Sequence, residues 1–169
     1  MATEQPSCPN QEKPQEWLQA LGKMTYGLYV ITAGQGQDIG GMIASWVSQI
    51  SYAPPLIMIA VHPNRYTHNL IHKGGSFVLH MLDKDQEGFL TRFKGPDPAG
   101  KFSGLDWTLG LTGAPVLTDC PVYLECRVTS TLAPGNHTLF IGEIVQAGWR
   151  RETSPLTSLD YSGMYVGRD

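Results

Sequence analysis

The stretch from Gly40 to Pro55 constrains this chain most. It opens on two adjacent glycines, runs through β-favouring apolar residues interrupted by Ser45, Ser48, Gln49 and Ser51, and ends at Pro54-Pro55. Glycine inside a strand marks a place where something approaches the backbone closely. A double proline cannot continue a central ladder, because it offers no amide hydrogen. The stretch therefore reads as a strand that must turn at the prolines, and Leu56–Val61 resumes the sheet after the corner. Small and hydroxyl side chains among apolar ones, followed by a corner, suit one wall of a ligand site.

Around this stretch the chain alternates short strands with turns. Trp17, Leu18, Leu21 and Met24 recur at helical spacing behind Pro14, which predicts a short amphipathic helix. Leu28–Thr32 reads as a strand closed by the turn Gly34–Asp38, with the Gly40 stretch as its hairpin partner. Thr67 or Asn64 is expected to cap a short helix carrying Leu70 and Ile71, ended by Gly74-Gly75. Phe77–Leu82 is a further strand, and Asp83 with Gln86 forms a capping box for a helix through Phe89, Leu90 and Phe93. Val122–Leu132 and Thr138–Val145 form a last hairpin across Pro134–His137. Residues 1–13 read as a flexible polar arm, and 14–169 as one domain. With Gly 19 and Pro 12 scattered among at least six strands, the architecture expected is mainly β, an antiparallel barrel with short peripheral helices.

Several function classes fall away. A net charge of -3 without a basic cluster does not suit nucleic acid. No apolar run is long enough to span a bilayer and the first residues lack a signal-peptide core, so a cytoplasmic protein is expected. Charged residues make up 16% of the chain, below the usual quarter or so, which hints at surface covered by a second copy. Cys8, Cys120 and Cys126 lack metal-ligand spacing. Cys126 alternates with strand apolar residues, while Cys8 and Cys120 read as reduced thiols or as redox thiols. His68 and His72 share a helix face without the glutamate of a His-Glu-x-x-His site, so no metal is expected. There is no Gly-x-Ser-x-Gly elbow.

Two positive signals remain. Asn64-Arg65-Tyr66-Thr67 places an amide, a guanidinium fork and a hydroxyl at a helix start, which serves either as a plain cap or as a phosphate seat. Gly40, Gly41, Ala44, Ser45, Trp46 and Phe102 offer the close approach and stacking surface that a flat ring needs, though Trp46 equally reads as core. His137, on a hairpin tip, belongs to the class of loop residues that carry function.

Taken in order, Met24–Thr32, Gly41–Ser51, Pro54-Pro55-Leu56, Asn64–Ile71 and Gly75-Ser76-Phe77 resemble the flavin reductase-like family. Lys101–Trp107, Gly113–Leu117, Tyr123–Val128 and Gly135–Val145 resemble its second half. The similarity is greatest to the flavoredoxin branch and to flavin reductase domains that serve rubredoxin. It implies an FMN-binding split β-barrel and a homodimer with FMN near the subunit interface. It also implies hydride transfer from NADH or NADPH to flavin N5, then delivery of electrons to free flavin, a small redox protein or a flavin-using oxygenase. A flavoredoxin-type carrier that does not oxidise NAD(P)H is the alternative. By this resemblance Ile43, Ala44, Ser45 and Trp46 edge the flavin ring, and Ser51, Asn64, Arg65 and Thr67 hold its phosphate. Lys101 and Phe102 close over it, and His137 lies near the nicotinamide. Relatives often carry threonine where this chain has Ile43, so backbone and shape are expected to matter there. No side chain is expected to act as an acid or base.

Overall fold

The computed structural model describes residues 14–98 and 100–161. The expected arm, Cys8, and the tail residues Met164 and Tyr165 lie outside them. Nine strands are present among the described residues: β1 Tyr29–Gln35, β2 Asp38–Ala44, β3 Val47–Ser51, β4 Leu56–Val61, β5 Ser76–Met81, β6 Trp107–Leu109, β7 Pro115–Leu117, β8 Val122–Leu132 and β9 Thr138–Trp149. Three helices accompany them, α1 Gln15–Leu21, α2 Tyr66–Gly74 and α3 Gly88–Lys94. None is long and apolar enough to cross a membrane.

Seven strands form one sheet in the order β2-β1-β5-β8-β9-β4-β3, and every pairing in it is antiparallel. β2 and β3 stand at opposite ends of that order, yet only Ser45 and Trp46 separate them in sequence. Laid flat, the two edges would lie about 29 Å apart at the usual strand spacing. The three peptide steps from Ala44 to Val47 reach only about 11 Å. The sheet must therefore curl until its edges meet. Trp46 already continues the β3–β4 ladder, with Ala60 N donating to Trp46 O at 3.0 Å, and Val47 N donates to Ser45 O at 3.0 Å at the crossing. The sequence alone reads Gly40–Ser51 as one strand. It is instead two, divided at Ser45-Trp46, where the chain leaves one edge of the barrel for the other.

β1 is apolar on both faces because both are covered. Ile31 and Ala33 join a core inside the barrel with Ile59, Phe77, Leu79 and Phe140, sealed by Leu70 and Ile71 of α2. Val30 faces a second core with Ile43, Leu90, Phe93, Phe102 and Leu117. The paired glycines of β2 follow the same alternation. A Cβ on Gly40 would stand 2.8 Å from Leu70 Cδ1 of α2, and one on Gly41 2.6 Å from Phe93 Cε1 of α3. The bulky groups these glycines admit are packing helices. Gly41→Ala is expected to cost about 1–3 kcal/mol through overpacking against a buried ring, read as a lowered denaturation midpoint. Phe93→Leu in the same chain should recover part of that loss.

Two helix expectations change in detail. Neither Asn64 nor Thr67 caps α2; its N-cap is Arg65, without a side-chain cap bond. The Asp83–Gln86 capping box does form, with Asp83 N donating to Gln86 Oε1 at 3.0 Å, but it opens one 3₁₀ turn, Lys84–Gln86, ahead of α3. α1 forms behind Pro14 but ends at Leu21, short of Met24, and buries none of its residues.

Candidate functional site

Beside the Ser45-Trp46 crossing, a cleft of about 640 Å³ opens between the end of β2, the start of α2 and the segment after α3. That volume lies in the range of ligand pockets. Ile43, Ala44, Ser45, Trp46, Asn64, Arg65, Thr67, Lys101 and His137 all line it, so residues far apart in sequence converge as the motifs imply.

The polar groups are arranged for an anion and for a hydrogen-bonding ligand. Among the described residues, Arg65, Lys94 and Lys101 are the charged residues of the lining, and no carboxylate joins them. Lys101 Nζ donates to Gly41 O at 2.9 Å. Burial, and then the Arg65 guanidinium, lower the pKa of its ammonium against an opposing pull from Asp97. Lys94 is held by Tyr161, whose hydroxyl lies 2.7 Å from Nζ and whose ring centroid lies 4.1 Å away. Tyr66, at the first turn of α2, donates its phenol proton to Asp38. Ser45 is buried, and its Oγ has no hydrogen-bond partner among the described residues. A buried hydroxyl without a partner is costly, and this one lies in the wall of the cleft.

Two residues expected at the site are not brought to it. Ser51 pairs with Leu56 at the turn end of the β3–β4 hairpin, whereas the cleft lies at the Trp46–Ala60 end. An extended strand advances about 3.3 Å per residue, enough to carry Ser51 away. Phe102 is buried in the second core, its ring 5.8 Å from Phe93 and 6.0 Å from Trp107. It anchors a 3₁₀ turn, Gly100–Phe102, whose other side presents Lys101 to the cleft. Arg92 Nη1 fastens this segment by donating to Ser103 O at 2.6 Å.

Sequence reasoning missed His62 and Lys94. His62 carries the one available signal, a histidine directly after the strand Leu56–Val61 and two residues before Asn64. Lys94 reads only as the first residue of the breaker-rich loop Lys94–Gly100. At the mouth, His137 stacks obliquely on Trp46, 4.8 Å between centroids, and meets His62 at 5.1 Å.

Other chemistry is weak. Cys120 and Cys126 are fully buried, and burial pushes both thiols up to about 12. Cys120 is therefore a core residue and not a redox thiol. His68 and His72 stack with centroids 6.3 Å apart, and His68 Nε2 bonds Thr138 Oγ1 at 2.9 Å. Among the described residues no three His, Cys, Asp or Glu side chains are grouped to hold a metal.

Known proteins place this geometry. A diflavin flavoprotein A 1 of Synechocystis is 38% identical over 130 residues, 74% of this chain, which spans 22% of that protein's length. The high molecular weight rubredoxin of Moorella thermoacetica is 34% identical over 84% of the chain and 64% of its own length. The ferric-chelate reductase (NAD(P)H) of Archaeoglobus fulgidus is 32% identical over 89% of the chain and 92% of its own. Among solved structures, the NADH:FAD oxidoreductase SgcE6 of Streptomyces globisporus superposes with a TM-score of 0.75 at 29% identity, over 82% of this chain and 83% of that one. Residues 21–167 match the family described as flavin reductase like domain. With its curled antiparallel sheet and a cationic cleft beside the Ser45-Trp46 crossing, the chain belongs to the flavin reductase like domain family.

Proposed function

We propose that this protein is a cytoplasmic, homodimeric FMN-dependent oxidoreductase that takes a hydride from NADH or NADPH and passes electrons to free flavin or a small redox protein. The observation that carries this reading is the cleft itself. A partnerless buried hydroxyl, two cations within electrostatic reach of each other and a strand-end backbone converge in a family fold. The Arg65 guanidinium raises the cost of charge on Lys101 until an anion lies between or beside them, which fits a phosphate. Asn64, Arg65 and Thr67 at the start of α2 would hold that phosphate. Ile43, Ala44, Ser45 and Trp46 would edge the ring, Ser45 Oγ gaining the partner it lacks. The bound flavin supplies hydride-accepting and electron-delivering chemistry, while the protein binds, orients and shields it.

The homodimer is supported by apolar surface outside the core, part of it beside Ala60 of the cleft wall. Met58 pairs with Ile141, and Ala60 with Leu139, at the alternate positions of β4 and β9 that do not enter the barrel core. Trp17 of α1 is 63% exposed. An electron partner such as a rubredoxin-type protein or a flavin-using oxygenase is supported by the company that the family keeps. The chain spans a fraction of several relatives, so its own partner is a matter for direct assay.

The deciding experiment is anaerobic addition of NADH, then NADPH, to FMN-loaded protein while flavin absorbance is followed. Bleaching with either supports the reductase. A flavin that stays oxidised with both would replace it with the carrier reading, and failure to bind FMN would sink both. His137→Ala is expected to lower the rate of reduction by NADH about tenfold, a loss of about 1.4 kcal/mol, with FMN affinity within about twofold. An unchanged reduction rate would remove His137 from the nicotinamide side.

A further inference from the structure

His62 lies in the cleft but has no part in the assignments above. Its carbonyl accepts from Arg65 N at 3.0 Å, and its ring Nδ1 accepts from Asn64 N at 3.2 Å. An amide can only donate, so the neutral imidazole carries its proton on Nε2. The register of β4 with β9 ends at Val61 and Thr138. One step further sets His62 opposite His137, as a cross-strand pair in which side chains meet. Their rings do meet, at 81°, and His137 in turn lies on Trp46. His137 Nδ1 bonds Asn136 Oδ1 at 2.9 Å. One imidazole therefore touches the turn that aims Asn64 and Arg65 and also the hairpin that carries His137.

We propose that His62 is a positioning residue coupling these two sides of the cleft. It holds the Asn64–Arg65 turn through Nδ1 and sets the His137 ring through its own ring. This rests on the FMN reading for its two functional readouts, but the coupling itself is a property of the protein without ligand. Binding of an anion on the Asn64–Arg65 turn then also steadies His137, because the ring that accepts from Asn64 N is the ring that meets His137.

Two substitutions separate the halves. His62→Phe keeps a ring against His137 but leaves Asn64 N–H without its acceptor. His62→Asn restores a side-chain acceptor for the amide two residues on, as asparagine does in turns, but removes the ring. His62→Phe is expected to weaken FMN binding about fivefold, the worth of one hydrogen bond, with kcat/KM for NADH at saturating FMN held within about twofold. His62→Asn is expected to do the reverse, lowering kcat/KM about fivefold and leaving FMN affinity within about twofold. In the ligand-free protein, NMR should show the Asn64 amide shifted by the first variant and the His137 ring nitrogens shifted by the second. Equal losses in both readouts from both variants, or His137 ring signals that ignore His62→Asn, would overturn the coupling. A wild-type protein that takes up no FMN would sink the flavin reading, while the ligand-free spectra would still decide this one.

Discussion

Arg65→Ala is expected to weaken FMN binding by roughly ten- to more than a hundredfold, the loss of a charge-assisted hydrogen bond worth about 1.5–3 kcal/mol. The magnitude follows from where the residue stands. Arg65 is the N-cap of α2 in extended conformation, with φ -80 and ψ 131, so its side chain leaves the helix before the first turn closes. It is exposed and lines the cleft, and its removal creates no cavity; stability should change by no more than about 0.5 kcal/mol. Arg65→Lys should fall between, since an ammonium keeps the charge but loses the planar fork. Titration of FMN fluorescence at two salt concentrations checks this. The alanine variant should show both weaker binding and a shallower salt dependence. An unchanged dissociation constant would take the phosphate away from α2.

The second large effect concerns stability in acid. His80 is fully buried on β5. Its Nε2 accepts from Leu117 N at 3.0 Å, which places the ring proton on Nδ1, 3.2 Å from Val30 O. The ring thus ties β5 to its neighbour β1 and to β7 across the second core. Burial, with the nearby Arg150 charge, lowers its pKa to about 3 even though the Val30 bond acts in the other direction. A second ring proton would also point at the Leu117 amide, donor against donor. The folded pKa lies below the ordinary 6.5, so between those values the unfolded chain takes up a proton that the native state refuses. Stability is fully present above about pH 6.5 and is lost as pH falls toward 3, by about 1.4 kcal/mol per pH unit from this group. Urea midpoints measured between pH 7 and pH 4 should show the slope. His80→Gln should start less stable and be flatter over that range; equal slopes in the two proteins would show that carboxylates, not His80, set the acid limit.

Local signals in the chain identify its elements well. Two-residue alternation marks β8, the turn Pro134–His137 marks β9 as its return, and the capping box ahead of α3 forms as the residues at 83 and 86 imply. These features depend on neighbours within a few residues, where periodicity and hydrogen-bonding chemistry act directly. The ordered motifs also bring Ile43 to Trp46, Asn64, Arg65, Thr67, Lys101 and His137 to one cleft.

What lies beyond local reach is pairing and direction. Ser51 belongs to the same polar-apolar run as Ser45, yet one sits at the hairpin turn and the other in the cleft, because strand length carries them apart. Phe102 stands beside Lys101 in sequence but points into the core, since successive residues of a tight turn diverge. His62 gains its partner only because β4 pairs with β9. Composition and motif order by themselves determined a mainly β chain with a glycine-led strand, a turn open to a cap or a phosphate role, and a family likeness. The tertiary structure decided that the Gly40–Pro55 stretch is two strands at opposite sheet edges. It also decided that Gly40 and Gly41 make room for Leu70 and Phe93, and that the cleft lies at Ser45-Trp46. The reason is closure: seven strands curling on one another set which edges meet, and no window of sequence contains both edges' partners.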